Sequence, residues 1–113
     1  ALERERIKPL RAPAIIVVGI EQDPSDAVLS IENVEAGAAA IQNLLLAAHA
    51  LGLAAIWRTG ASAYSTSVKR HFGLADEDAL LGFVYIGYPA FSPAQAERTA
   101  QGKVEWWASR HPL

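Results

Sequence analysis

Residues 37–60, GAAAIQNLLLAAHALGLAAIWRTG, decide how this chain folds. The apolar residues of the first half recur at helical spacing, and Gly52 stands where a glycine commonly ends a helix. Residues 53–57, LAAIW, form a short apolar run that is typical of a buried strand. We therefore predict a helix over residues 31–51, with Ser30 as its N-cap, that leads directly into a strand.

Two apolar stripes run along this predicted helix. The first consists of Val34, Ala38, Ile41, Leu45 and Ala48, and the second of Gly37, Ala40, Leu44, Ala47 and Leu51. Because two stripes leave only a narrow polar edge, we expect the helix to be buried nearly all round. A domain this small can hardly supply that burial from within, and the small residues 37–40 would let another backbone approach closely.

The remaining helices and strands are predicted from short apolar runs and from the capping and proline residues that bound them. Two further strands are predicted at residues 14–20, AIIVVGI, and 80–87, LLGFVYIG. A short helix is predicted over residues 65–71, and Ser92-Pro93 has the pattern of an N-cap followed by a helix. The order strand, helix, strand, helix, strand favours an α/β or α+β sandwich in which the long helix lies against a sheet.

Composition restricts the class of protein. The 113 residues, 51% apolar and 19% charged, suit a single domain over residues 1–113. Ten basic and twelve acidic residues produce no field that would attract nucleic acid or anionic lipid. The absence of cysteine excludes a disulfide framework, a thiolate metal site and a cysteine nucleophile, and it favours a cytoplasmic location.

Arg58-Thr59-Gly60 is the strongest candidate binding site that the residues alone indicate. The arginine follows a predicted buried strand, and ligands of open α/β sheets bind at the carboxyl ends of strands. Arginine offers a planar fork for phosphate, threonine a hydroxyl, and glycine a close backbone approach. The alternative is a surface arginine that pairs with a nearby carboxylate.

Other ionisable residues give weaker signals. The histidines at positions 49, 71 and 111 have no ligand-type neighbour at helical spacing, so no metal site is expected. Four carboxylates could be imagined as an acid–base pair, but helix capping and loop solubility account for them more simply; they are Asp23, Asp26, Glu32 and Glu35.

Residues 37–60, together with TSVKRHFGLADEDALLGFVYIGYPA at 66–90, resemble the nitroreductase family, in particular its small bacterial type with a Trp-Arg-Ser or Trp-Arg-Thr step. In that family a buried helix ending in A-x-x-x-G-x-G leads to a short strand, then to a V-R-x-x-x-G-L helix and a strand ending in L-G-Y-P. The same pieces follow in the same order here, and the segment APAIIVVG also matches. This sequence departs from the pattern at Ala54, Lys69 and Ile86.

The resemblance implies a homodimeric FMN enzyme that takes hydride from NADH or NADPH. It would pass electrons to a nitroaromatic, a quinone or a similar small-molecule acceptor, and no protein acid, base or nucleophile is assigned. By the resemblance Trp57, Arg58 and Thr59 contact FMN, with Arg58 toward the phosphate or ribityl side. The tail, residues 91–113 with its Trp106-Trp107 pair, either packs on the chain's own core or wraps the partner subunit.

Nothing in residues 1–13 matches the Arg-Arg-Ser-x-Arg motif with which the family holds the FMN phosphate. We therefore expect the chain to correspond to the C-terminal portion of the family domain. Two alternatives stay open. One is a flavin-free truncated module for dimerisation or binding, and the other is a related flavoprotein with different chemistry, such as dehalogenation or flavin fragmentation.

Overall fold

The computed structural model describes residues 6–92, 94 and 96–105. A three-stranded sheet forms its centre, with strand order β1–β3–β2 and both neighbouring pairs antiparallel. The strands are β1 (Ala14–Ile20), β2 (Ala54–Arg58) and β3 (Ala79–Gly87), and the helices are α1 (Ala27–Ala50) and α2 (Thr66–His71). Single 3₁₀ turns lie at Lys8–Arg11 and Ala61–Tyr64. A helix layer on an antiparallel sheet is the α+β form of the predicted sandwich.

The strands agree closely with the sequence prediction in their bounds, but the buried strand predicted at residues 53–57 is an edge strand with four of its five residues exposed. The bounds of β1 are those predicted, β2 is shifted by one residue, and β3 begins one residue earlier at Ala79. The agreement has a simple reason, because short continuous runs of β-branched and aromatic residues suit a pleated surface and little else.

The start of α1 differs from the prediction. The helix begins at Ala27, and Asp26 rather than Ser30 is the N-cap, since its carboxylate accepts the N–H of Leu29 at 2.9 Å. Ser30 lies inside the first turns and donates its hydroxyl to the carbonyl of Asp23 at 3.0 Å. The predicted end is confirmed, because Gly52 follows the C-cap with φ +75°.

The expected burial of α1 is only half met. All of the first stripe is buried or half-buried, with Ile41 1% exposed, whereas Ala40, Ala47 and Leu51 of the second stripe are exposed. Near-complete burial was therefore wrong for the single chain, because one small sheet covers one side of a helix.

The strand register divides the sheet into two faces. Trp57 pairs with Val84 and shares its face, while Arg58 pairs with Phe83 on the opposite face. Val84 is fully buried on the face that α1 covers. On that side Gly37 of the helix approaches the side chains of Ile20 and Leu81 so closely that no Cβ would fit without their moving.

The helix predicted from Ser92 onward is not found among the described residues. Positions 92, 94 and 96–105 contain a turn at 101–103 and otherwise no regular structure. A helix of that length is marginal unless it packs on something, and sequence pattern alone cannot supply the packing. Trp106 and Trp107, which were expected to anchor this tail, lie outside the described residues.

Candidate functional site

The carboxyl end of β2 turns sharply toward the face of the sheet opposite α1. Arg58 is the last residue of the strand, Thr59 follows, and Gly60 has φ +126°, which side-chain-bearing residues rarely adopt. The 3₁₀ turn Ala61–Tyr64 then leads into α2. This turn brings the end of β2 and the start of α2 to the same place.

A cleft of about 890 Å³ lies at this place. Its floor is the exposed face of the sheet, to which each strand contributes alternate residues. The floor residues are Ile15, Val17, Ile56, Phe83 and Tyr85. Val68 and Phe72 add an apolar wall from the α2 side. The cleft can therefore hold a flat, largely apolar group against the sheet.

The charged residues of the cleft all carry the same sign. Three cationic side chains line it, namely Lys8, Arg11 and Arg58, the imidazole of His71 stands beside them, and none of the described lining residues is an aspartate or glutamate. Thr59 and Ser62 also line it and bring hydroxyl groups. Since the whole chain carries a formal charge of −2, this one-sided distribution marks the cleft as a place for an anion.

The structure separates the three residues predicted to contact the cofactor. Arg58 and Thr59 line the cleft, whereas Trp57 does not. Trp57 lies on the opposite face, where its indole N–H donates to the carbonyl of Leu81 at 3.0 Å. Alternation along a strand imposes this division, because successive side chains point to opposite faces.

The nitroreductase family model matches residues 3–88 of the chain. The chain belongs to the nitroreductase family. The NAD(P)H nitroreductase YdjA of Escherichia coli K12, so named, is 35% identical over 89 residues, which are 79% of this chain and 49% of that protein. The protein named NAD(P)H nitroreductase YfhC of Bacillus subtilis is 29% identical over 79% of this chain and 45% of its own length.

Solved structures show the same nitroreductase fold. A nitroreductase-like protein from Bacillus cereus superposes with a TM-score of 0.76 at 28% identity, over 93% of this chain and 59% of that one. A nitroreductase from Desulfovibrio desulfuricans, solved in complex with FMN, gives a TM-score of 0.62 at 25% identity, over 88% and 55%. This nitroreductase-family chain thus spans about half the length of the curated relatives it matches.

Lys69, which stands where the nitroreductase pattern has arginine, closes the loop behind α2. Its ammonium group donates to the carbonyls of Asp76 at 2.6 Å and Asp78 at 2.7 Å. The buried carboxylate of Asp78 accepts the N–H groups of Gln22 at 3.0 Å and Ala75 at 2.7 Å. Sequence reasoning missed this anchor, since an acidic run before a strand has the pattern of a solvated loop.

A surface ion pair supports the same loop. The guanidinium of Arg70 binds Asp76 through two hydrogen bonds of 2.9 and 2.6 Å. Hydrogen bonding from that guanidinium lowers the pKa of the Asp76 carboxyl, and the same contact raises the pKa of Arg70. Both groups face solvent, so they shape the back of α2 rather than the cleft.

The histidines differ in their outcome. His71 stands on the cleft wall, its ring packed edge-to-face on Phe72 at 5.0 Å, and sequence reasoning did not connect it with Arg58. His49 is exposed near the end of α1, and His111 lies outside the described residues.

Within the described ranges, no helix has the length and apolar character needed to cross a bilayer.

The carboxylates considered for acid–base catalysis lie at the start of α1 and along it, away from the cleft. Asp26 caps the helix, and Asp23 accepts the N–H and hydroxyl of Ser25 at 2.9 and 2.6 Å. Those hydrogen bonds lower the pKa of Asp23. Glu32 and Glu35 are exposed on the helix and do not line the cleft.

Proposed function

We propose that this chain forms part of an FMN-dependent oxidoreductase that takes hydride from NADH or NADPH. The electrons would pass to a nitroaromatic, a quinone or a similar small-molecule acceptor. The single observation that carries the proposal is the cleft, in which Arg58 and Thr59 stand at the edge of an apolar sheet face without an opposing carboxylate. The relatives' names, and the neighbour solved with FMN, support the same reading.

The residues present fit FMN. That cofactor combines a flat aromatic ring, a polyhydroxyl chain and a phosphate. Phe83, Tyr85 and Ile56 supply a surface for the ring, Thr59 a hydroxyl for the chain, and Arg58 a fork for the phosphate. When bound, FMN supplies the hydride-transfer chemistry.

The protein's own contribution is binding and orientation. The apolar floor keeps water from one side of the bound ring, and the basic wall raises the local concentration of anionic ligands. Because the floor is built on strands rather than on loops, the surface that orients a ring is rigid. We assign no acid, base or nucleophile to the described side chains.

We also propose that the chain acts as a homodimer through α1. The second stripe of the helix leaves Ala40, Ala47 and Leu51 exposed, and the two alanines would let another backbone approach closely. A second copy laid on this stripe would provide the burial that the helix pattern predicts.

Flavin uptake tests the proposed function. Purified protein titrated with FMN should bind it, and NADPH or NADH should bleach the bound flavin's absorbance. Arg58→Ala should weaken FMN binding about tenfold or more, through loss of a charge-assisted contact. Arg70→Ala removes the same charge outside the cleft and should leave the affinity unchanged.

Three outcomes would oppose the proposal, each in a different way. Protein that takes up no FMN would support the flavin-free dimerisation or binding module. Protein that binds FMN but does not react with NAD(P)H would support a flavoprotein with other chemistry. Equal affinities for Arg58→Ala and the unchanged chain would remove the arginine from the site.

We also propose a cytoplasmic location, because NAD(P)H is available there.

Sedimentation velocity tests the dimer. Ala47→Arg places a charge in the exposed stripe and should weaken association by a hundredfold or so, since an unpaired buried charge costs several kcal/mol. Gln42→Arg, on the polar edge of the same helix, is the matched control and should not change the sedimentation coefficient. A chain that is monomeric at all accessible concentrations would contradict the proposal.

A further inference from the structure

We infer that Trp57 is a positioning residue, whose indole fixes the end of β2 on β3 and so determines where Arg58 stands in the cleft. The first half of this inference concerns the chain alone. The second half, that the position of Arg58 governs flavin binding, rests on the proposed function. The resemblance assigned Trp57 to direct cofactor contact, and the structure favours an indirect role because the side chain lies on the other face.

The indole of Trp57 forms a hydrogen bond at a β-bulge in β3. Val18 of β1 pairs with Gly82, while the next residue, Gly19, pairs with Leu80. Leu81 is therefore the extra residue of a β-bulge, and its carbonyl accepts the Trp57 N–H at 3.0 Å. The hydrogen bond joins the end of β2 to the one point where the β3 ladder is irregular.

Gly82 makes room for this arrangement. Its φ is +138°, and a Cβ there would lie 2.7 Å from the indole nitrogen of Trp57 and would clash with the carbonyl oxygen of Arg58. The indole and the Arg58 carbonyl thus both lie directly against a position that only glycine can occupy. The three residues form one contact unit, which we call the Trp57 lock: Trp57, Arg58 and Gly82.

The lock matters for Arg58 because the guanidinium has no other anchor. Among the described residues the Arg58 side chain takes part in no hydrogen bond or ion pair. Its location in the cleft therefore depends on its backbone, which the neighbouring Trp57 holds from the opposite face. Removing the indole N–H should leave the Arg58 guanidinium charged but allow the Arg58 backbone to move.

A mutant cycle separates positioning from contact. Trp57→Phe keeps an aromatic ring and removes the donor; Arg58→Ala removes the cleft cation; the double variant combines them. FMN affinity should fall about three- to tenfold for Trp57→Phe alone, less than for Arg58→Ala, because the charge-assisted contact is weakened rather than removed. In the Arg58→Ala background the same change should alter affinity less than twofold. Tyr64→Phe, an exposed aromatic outside the cleft, is the control.

Hydrogen exchange tests the lock without flavin. In Trp57→Phe, peptides covering 54–60 and 80–84 should exchange at least threefold faster, while peptides from the middle of α1 should not change. Unchanged exchange in the β2 and β3 peptides would overturn the inference, whatever FMN does. Equal losses of FMN affinity in both Arg58 backgrounds would also overturn it, since a direct contact acts independently of Arg58. If the unchanged chain binds no FMN, the proposed function fails and the exchange result alone decides the lock.

Discussion

Replacing Gly82 by alanine is the sharpest test of the packing around the cleft. The residue lies in β3 beside the bulge, with φ +138°, and the end of β2 packs against its Cα. An added methyl group would clash with the Arg58 carbonyl oxygen and lie 2.7 Å from the Trp57 indole nitrogen. Because one of these neighbours is backbone, trimming a side chain cannot relieve the clash.

Two costs add at this position. Holding alanine at this φ costs about 1–3 kcal/mol. Displacing the packed end of β2 costs a further ~1–3 kcal/mol, the usual range for overpacking. The sum, about 2–6 kcal/mol, is a large part of the 5–15 kcal/mol that stabilises an ordinary domain. We therefore expect Gly82→Ala to be severely destabilised.

Urea unfolding of Gly82→Ala and Gly52→Ala measures the difference. Gly52 also has positive φ, +75°, but nothing lies within 4 Å of the added methyl group. The unfolding free energy of Gly52→Ala should fall only by the cost of a left-handed alanine, about 1–2 kcal/mol. Both variants restrict the unfolded chain to the same extent. If the two unfolding free energies agree within about 0.5 kcal/mol, the close packing of Gly82 against β2 is refuted.

Three further outcomes follow from the anchors outside the cleft. Asp78→Asn should lower the unfolding free energy by about 1–3 kcal/mol, because an amide cannot accept both backbone N–H groups, while the exposed neighbour Glu77→Gln should have no effect in the same urea titration. Asp26→Ala should cost about 1 kcal/mol and raise hydrogen exchange in the first turn of α1. Arg70 lowers the pKa of Asp76 below 3.8, so the ion pair stabilises the fold fully above pH 3.8, and this stabilisation is lost as the pH falls through the pKa of the folded state. The small difference in urea midpoint between the unchanged chain and Arg70→Ala at pH 6 should therefore disappear in strong acid.

Sequence predicted the bounds of the strands better than the start of α1, for a physical reason. A strand shows in its own residues, and the run AIIVVGI alone gives the bounds of β1. The start of α1 depends on which polar side chain finds a backbone donor. Both Asp26 and Ser30 are suitable caps by type, and only the Asp23–Ser25 turn, which orients the chain, favours the earlier one.

The binding role of Arg58 was predicted by a rule that does not apply to this sheet. Arg58 was selected because ligands gather at the carboxyl ends of parallel strands, whereas this sheet is antiparallel. Arg58 reaches the cleft because it ends β2 on the face that α1 leaves open. Lys8, Arg11 and His71 join it from distant parts of the sequence, and no local pattern could have brought those three together.

The exposed residues of α1 are the observation on which the proposed dimer depends. A helix pattern records all the burial that selection acts on, whichever chain supplies it. Here the first stripe packs on the sheet, with Ile41 almost fully buried, while Ala40, Ala47 and Leu51 of the second stripe are exposed in the described part of the chain. Alanine favours a helix in any surroundings, and small side chains at Ala40 and Ala47 would in addition let another backbone pack close to them. Charge placed at Ala47 but not at Gln42 distinguishes that packing from an incidental run of alanine.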